Sequence, residues 1–122
     1  PGQIEGLKHA IRDAEESSGL TFSLFLGAAE GDPREHARAL HAQLTEPDDS
    51  VLILCDPVSR ALEIVTGQVA ARRVTDDQAN LAAVSMTGNF MAGNVLGGLE
   101  AGIRQLGSGA RKPPKLHAYT ED

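Results

Sequence analysis

The chain has no tryptophan, one tyrosine and three phenylalanines among 122 residues. With aromatics at 3%, its core has to be aliphatic, built from Leu, Val, Ile and Ala. A single cysteine, Cys55, excludes an internal disulfide and leaves the redox compartment open. Positive charge is also short: 11 Lys and Arg against 17 Asp and Glu give a net charge of −6. Nucleic-acid and anionic-membrane surfaces need clustered cations, so this balance excludes nucleic acid as a partner and suits solubility. No run approaches the roughly 18–20 apolar residues of a membrane span. The chain opens on Pro1, as expected of a fragment or processed form, so the lack of a visible signal peptide decides nothing about compartment.

What is present fits one globular domain. Hydrophobic residues make up 41% and charged residues 23%, and the length is enough for one core. The spacing predicts a domain over residues 1–108, with 109–122 a polar, proline-interrupted and loose tail.

Ile4, Leu7, Ile11 and Ala14 recur at helical spacing, and Ser17-Ser18-Gly19 supplies a stop with Gly19 suited to a left-handed cap. "LTFSLFLG" (20–27) is too short for a helix and reads as a strand. Asp32, Pro33 and Glu35 mark a helix start that carries Ala37, Leu40 and Leu44 inward. "VLILC" (51–55) is a continuous apolar run of the kind covered on both faces. "DPVSR" (56–60) turns the chain, and "ALEIVTG" (61–67) returns as a strand. A short helical segment over 69–73 precedes a capping box of Thr75 and Gln78, which opens a helix expected to stop near Thr87, at Gly88-Asn89. The fold class is therefore α/β: a small mixed sheet, made of a βαβ unit and an antiparallel hairpin strand, with helices on both faces.

The stretch "GNFMAGNVLGGLEAGIRQLG" (88–107) holds six glycines and still carries an amphipathic stripe of Val95, Leu96, Leu99, Ile103 and Leu106. It lacks the Lys-Ser/Thr of a P-loop and the preceding strand of a dinucleotide fingerprint. Asn94, Glu100 and Arg104 break the apolar run that a membrane dimerisation face would need. Each helical glycine costs about 1 kcal/mol against alanine. Gly98 and Gly102 along one edge of the stripe therefore predict close approach of another element.

Asp48, Asp49, Asp56, Asp76 and Asp77 are the residues that could serve a hard cation such as calcium. No EF-hand spacing joins them, and each also has a structural explanation: a solvated loop, a turn start or a helix first turn. Cys55 ends an apolar strand and reads as a small buried hydrophobe. His9, His36, His41 and His117 show no metal-ligand spacing, and no hydrolase or nucleotide motif is present.

In order and spacing, "GLTFSLFLG", "DDSVLILCDPVSRALEIVTG" and "VTDDQANLAAVSMTGNFMAGNVLGGLEAGIRQLG" resemble the TPM-type domain family, closest to an actinobacterial branch of unknown function. The resemblance covers roughly Ile4 to Gly107. It rests on the paired acids before a strand, the hairpin ending at Gly67, the Thr75-Asp76 helix start and the step Phe90-Met91-Ala92-Gly93-Asn94. It implies an α/β fold and a non-catalytic domain that binds or stabilises an unknown protein partner, in or near the cell envelope. It also implies an alternative, a phosphatase-like hydrolase using calcium or another divalent cation held by Asp49, Asp56, Asp76, Asp77 and Asn94. No catalytic residue is assigned and no cofactor is required by the first of these. Asn94 stands where the commonest TPM residue is Asp, and Gly67-Gln68-Val69-Ala70-Ala71 replaces a usual Gly-x-Gly-Leu-Glu; both changes weaken a cation set.

Overall fold

Helix α1, Gly2–Ser18, opens a computed structural model that describes residues 2–111. It buries Leu7, Ala10, Ala14 and Ser18 on one stripe and stops where Gly19 takes φ 76°. Strand β1 is Thr21–Leu26 and helix α2 is Pro33–Ala42. Asp32 caps α2 by accepting the Glu35 N–H at 3.0 Å, as the sequence predicts. The helix ends two residues short of Leu44, and Leu44 packs from the following loop. A 3-10 turn over Pro47–Asp49 leads into β2, Ser50–Asp56, and β3, Ala61–Thr66, completes the strands.

The sheet order is β1-β2-β3, with β1 parallel and β3 antiparallel to the central strand. Every residue of β2 is buried because both its faces are covered. Alternation sends Val51, Ile53 and Cys55 to one side, into the larger core cluster. Leu52 and Leu54 go to the other, against Ala37 of α2.

A 3-10 turn over Ala70–Arg72 leads to helix α3, Asp76–Met91, whose Thr75–Gln78 capping box is formed in both directions. Helix α4 is Val95–Gly109, so α1, α3 and α4 cover one face of the sheet and α2 the other. The expected end of α3 is corrected here. Helix α3 runs through Gly88-Asn89 rather than stopping near Thr87. The Asn89 amide donates back to the Ser85 carbonyl, and one glycine is a tolerable cost inside a packed helix. The break comes at Gly93, with φ 86°, followed by Asn94, whose Oδ1 caps α4 by accepting the Gly97 N–H. Of the tail expected over 109–122, Gly109 ends α4 and Ala110 is buried in the core, and residues 112–122 lie outside the described residues.

The glycines of α4 are packing positions. A Cβ on Gly98 would sit 2.7 Å from the Asn89 Cβ, and one on Gly107 would sit 2.6 Å from the Ala14 Cα. A Cβ on Gly102 would collide with the side chain of Met86, which is fully buried. Gly102→Leu is therefore expected to cost on the order of 1–3 kcal/mol. In a double-mutant cycle read by denaturant unfolding, Met86→Ala should recover part of that cost. Additivity of the two changes would remove Met86 as the cause.

Candidate functional site

The turn between β2 and β3 is organised by one carboxylate. Asp56 is buried at the end of β2, and its Oδ1 accepts the Ser59 N–H at 3.1 Å. Its Oδ2 accepts the Ala29 N–H at 2.9 Å from the loop after β1. Backbone N–H groups of Ala29, Ser59 and Val58 hold the Asp56 carboxyl below its ordinary value. The charged form is thus favoured in the folded chain, and this stabilisation is present above the unfolded carboxyl value of about 3.9 and lost as pH falls through the lower folded one. In thermal melts, the deficit of Asp56→Asn against the parent is expected to be large at neutral pH and to shrink below about pH 4. A deficit constant down to pH 2.5 (roughly the end of the carboxylate range) would contradict this.

Beside Asp56, burial chiefly, then the charge of Asp56, pushes the Cys55 thiol up to about 11. It is held mainly in the protonated form at neutral pH.

The turn ends at Arg60, the one described non-glycine residue with positive φ, 61°. Here it meets the corner where α3 gives way to α4. Pro57, Arg60 and Leu62 from the hairpin and Thr87, Phe90, Met91 and Val95 from the corner enclose a cleft of about 300 Å³. Its lining is mainly apolar, with Arg60 and Thr87 the residues that carry polar side chains. It opens at the end of the sheet where β1 and β2 finish, the position at which ligands bind in open α/β folds.

A second, shallower concavity lies at the opposite end of α4, lined by Arg72, Arg73 and Arg111 with Val69, Gly109 and Ala110. One of its cations, Arg73, complements the negative end of α4. Arg73 Nη1 donates to the Ala110 carbonyl at 3.4 Å.

The five residues considered for a divalent cation are not brought together. Asp49 precedes β2 and Asp56 ends it, about 20 Å apart along the strand. Asp76 and Asp77 open α3 while Asn94 lies beyond its far end, about 24 Å away along the helix. Both Asp56 oxygens already accept backbone N–H groups, and Asn94 Oδ1 accepts from Gly97. Among the described residues no three His, Cys, Asp or Glu side chains form a cation-sized group.

Two polar positions were missed from sequence. His41 is buried, with Nε2 3.0 Å from the Ser50 carbonyl to which it donates. His36 accepts the Glu30 N–H through Nδ1 and meets Phe25 edge to face. His41 ties α2 to the sheet, and His36 ties the loop after β1 to α2. Their places on the inner side of α2, at the spacing of Ala37 and Leu40, were the available signal.

The comparisons with known proteins bear on the whole of this architecture. Residues 3–107 match the family model described as "Domain of unknown function (DUF5130)". The chain belongs to DUF5130. An uncharacterised protein of Mycobacterium tuberculosis is 27% identical to it over 106 residues, covering 87% of this chain and 64% of that relative. The chain thus spans less than two thirds of the length of this DUF5130-like relative. Among solved structures, the BA42 protein of Bizionia argentinensis superposes with a TM-score of 0.78 at 22% identity, covering 89% of this chain and 79% of that one. The N-terminal domain of the cg2496 protein from Corynebacterium glutamicum gives 0.71 at 20% identity, covering 99% and 82%. These likenesses establish the DUF5130 chain's fold and leave its activity to its own residues. No helix among the described residues is long and apolar enough to cross a membrane.

Proposed function

We propose that the domain is a non-catalytic docking module whose α3 face binds an amphipathic helix of a protein partner. One observation carries this reading. Leu81, Val84 and Met91 lie on a single stripe of α3 and are 62%, 72% and 81% exposed. Their spacing, with Gly88 between, is three, four and three residues, the seam of a helix pair. The opposite side of α3 is already committed to the core through Ala82 and Met86. A helix apolar on both sides is ordinarily covered on both. From Gln78 to Leu99 the sequence has no charged residue, so nothing on this face opposes desolvation.

A TPM-like relationship, with action in or near the cell envelope, is part of the same proposal. It is supported by the order of the segments around Gly67, Thr75-Asp76 and Phe90–Asn94. In that family reading the domain acts as an auxiliary partner rather than as the hydrolase.

Immobilised parent protein is expected to retain a partner from an extract that Val84→Glu does not retain, with both proteins melting at the same temperature. The same proteins retained by both, or none by the parent, would refute the reading. Melts in EDTA and in millimolar calcium or magnesium are expected to coincide. A cation bound to the folded state at a hundredfold excess over its dissociation constant would add about 2.7 kcal/mol and separate them.

A further inference from the structure

We propose that the cleft at the hairpin–helix corner is a binding site for a medium-chain aliphatic carboxylate, with the alkyl chain against Leu62, Phe90 and Val95 and the carboxylate on Arg60. The cleft's volume of about 300 Å³ takes roughly ten water-sized groups, the size of an eight- to ten-carbon acid. Its walls are apolar at Pro57, Leu62, Phe90, Met91 and Val95, which suits an alkyl chain and no polar sugar or base.

The charge at its rim asks for an anion. Arg60 is the one charged residue lining the cleft, and among the described residues it makes no ion pair. The nearest acid in sequence, Asp56, is turned to the Ala29 and Ser59 N–H groups instead. Val95, in the same wall, is the first residue of α4, so the positive end of that helix shares the site with the guanidinium. Asn94 already caps that helix end, so the exposed Arg60 guanidinium is the group that would hold the carboxylate. A guanidinium fork also matches a carboxylate with two parallel hydrogen bonds.

The backbone gives an independent argument. Arg60 occupies the left-handed region, φ 61°, where glycine or asparagine is the inexpensive residue. The chain keeps a long, permanently charged side chain at a position that disfavours any Cβ. Strain of this kind at the rim of a cavity marks a residue retained for what its side chain does.

Titration of the isotope-labelled chain with octanoate, followed by amide chemical shifts, tests the site. Octanoate is expected to produce saturable shifts at Arg60, Met91 and Val95. Octan-1-ol, which lacks the charge, and Arg60→Gln, which lacks the cation, should each weaken binding about tenfold or more. Arg60→Gly should lose octanoate while melting at or above the parent temperature, separating the side chain's role from that of the fold. Val84→Glu, on the stripe outside the cleft, should bind octanoate like the parent, so this site and the partner face can fail separately. No saturable shift at these three amides would overturn the proposal. So would octan-1-ol or Arg60→Gln binding within about twofold of the parent with octanoate.

Discussion

Gly67→Ala is expected to destabilise the fold by about 3 kcal/mol, lowering the melting temperature by about 10 °C. Gly67 follows β3 and is buried, and its φ is not left-handed, so room rather than torsion demands the glycine. A Cβ there would run into the carbonyl oxygens of Pro47 and Asp48. Neither can swing aside as a side chain could. Asp48 O accepts the Val69 N–H at 2.9 Å, and Asp49 N donates to Glu46 O at 3.2 Å, fixing the 3-10 turn in place. Gly67 N itself donates to Ser50 O at 2.9 Å, so moving it away breaks the end of the hairpin. Gly88→Ala provides the opposite sign. That residue sits within α3 with nothing near its missing Cβ, and alanine should stabilise by about 0.5–1 kcal/mol. Denaturant unfolding of the two variants checks both. Equal and small effects would mean that the turn over 47–49 yields.

The second large effect separates the two sides of the sheet. Ile53→Ala is expected to cost about 4 kcal/mol and Leu54→Ala about 2.5 kcal/mol, although both residues are fully buried neighbours on β2. Ile53 faces the larger cluster, where α1, α3 and α4 brace one another and cannot close over a void. Leu54 faces the smaller cluster under α2, a single ten-residue helix that can settle inward. The cost of a cavity follows how much of it remains after relaxation. Chemical denaturation of the two variants at the same pH measures the difference. A larger loss at Leu54 would show that the single helix is the more rigid layer.

Local signals made most of the fold readable. "VLILC" announced a strand covered on both faces, Asp32-Pro33-Glu35 a helix start, and Thr75 with Gln78 a capping box; all three are observed. The glycines of α4 were read correctly as contact positions because their cost needed a compensating approach. What stayed hidden depends on tertiary placement. Gly88-Asn89 looks like a helix end, and only the packing of α3 on α4 carries the helix through it. The acids seemed a candidate cation set because sequence proximity cannot show that β2 and α3 hold their ends apart. Nothing in "DPVSR" signals that Arg60 would be left-handed, since a glycine or asparagine would have been the cue. The cleft joins that turn to a corner thirty residues later, so it has no local signature at all.

Helices α1 and α4 lie side by side and run in the same direction. Gln3 meets Asn94, Asp13 pairs with Arg104 at 2.9 Å, and Ala14 backs onto Gly107. Helix α1 leaves the ribosome before α4, so its apolar stripe waits for that partner over an interval of 91 residues. At about 5–20 residues synthesised per second this lasts about 5 to 20 s, far longer than a helix takes to form. The hairpin of β2 and β3 can close meanwhile, but Leu7, Ala10 and Ala14 have no final partner until α4 arrives. Translation thus delays the completion of this core until α4 is made, and chains stalled before α4 present the amphipathic α1 to chaperones and proteases.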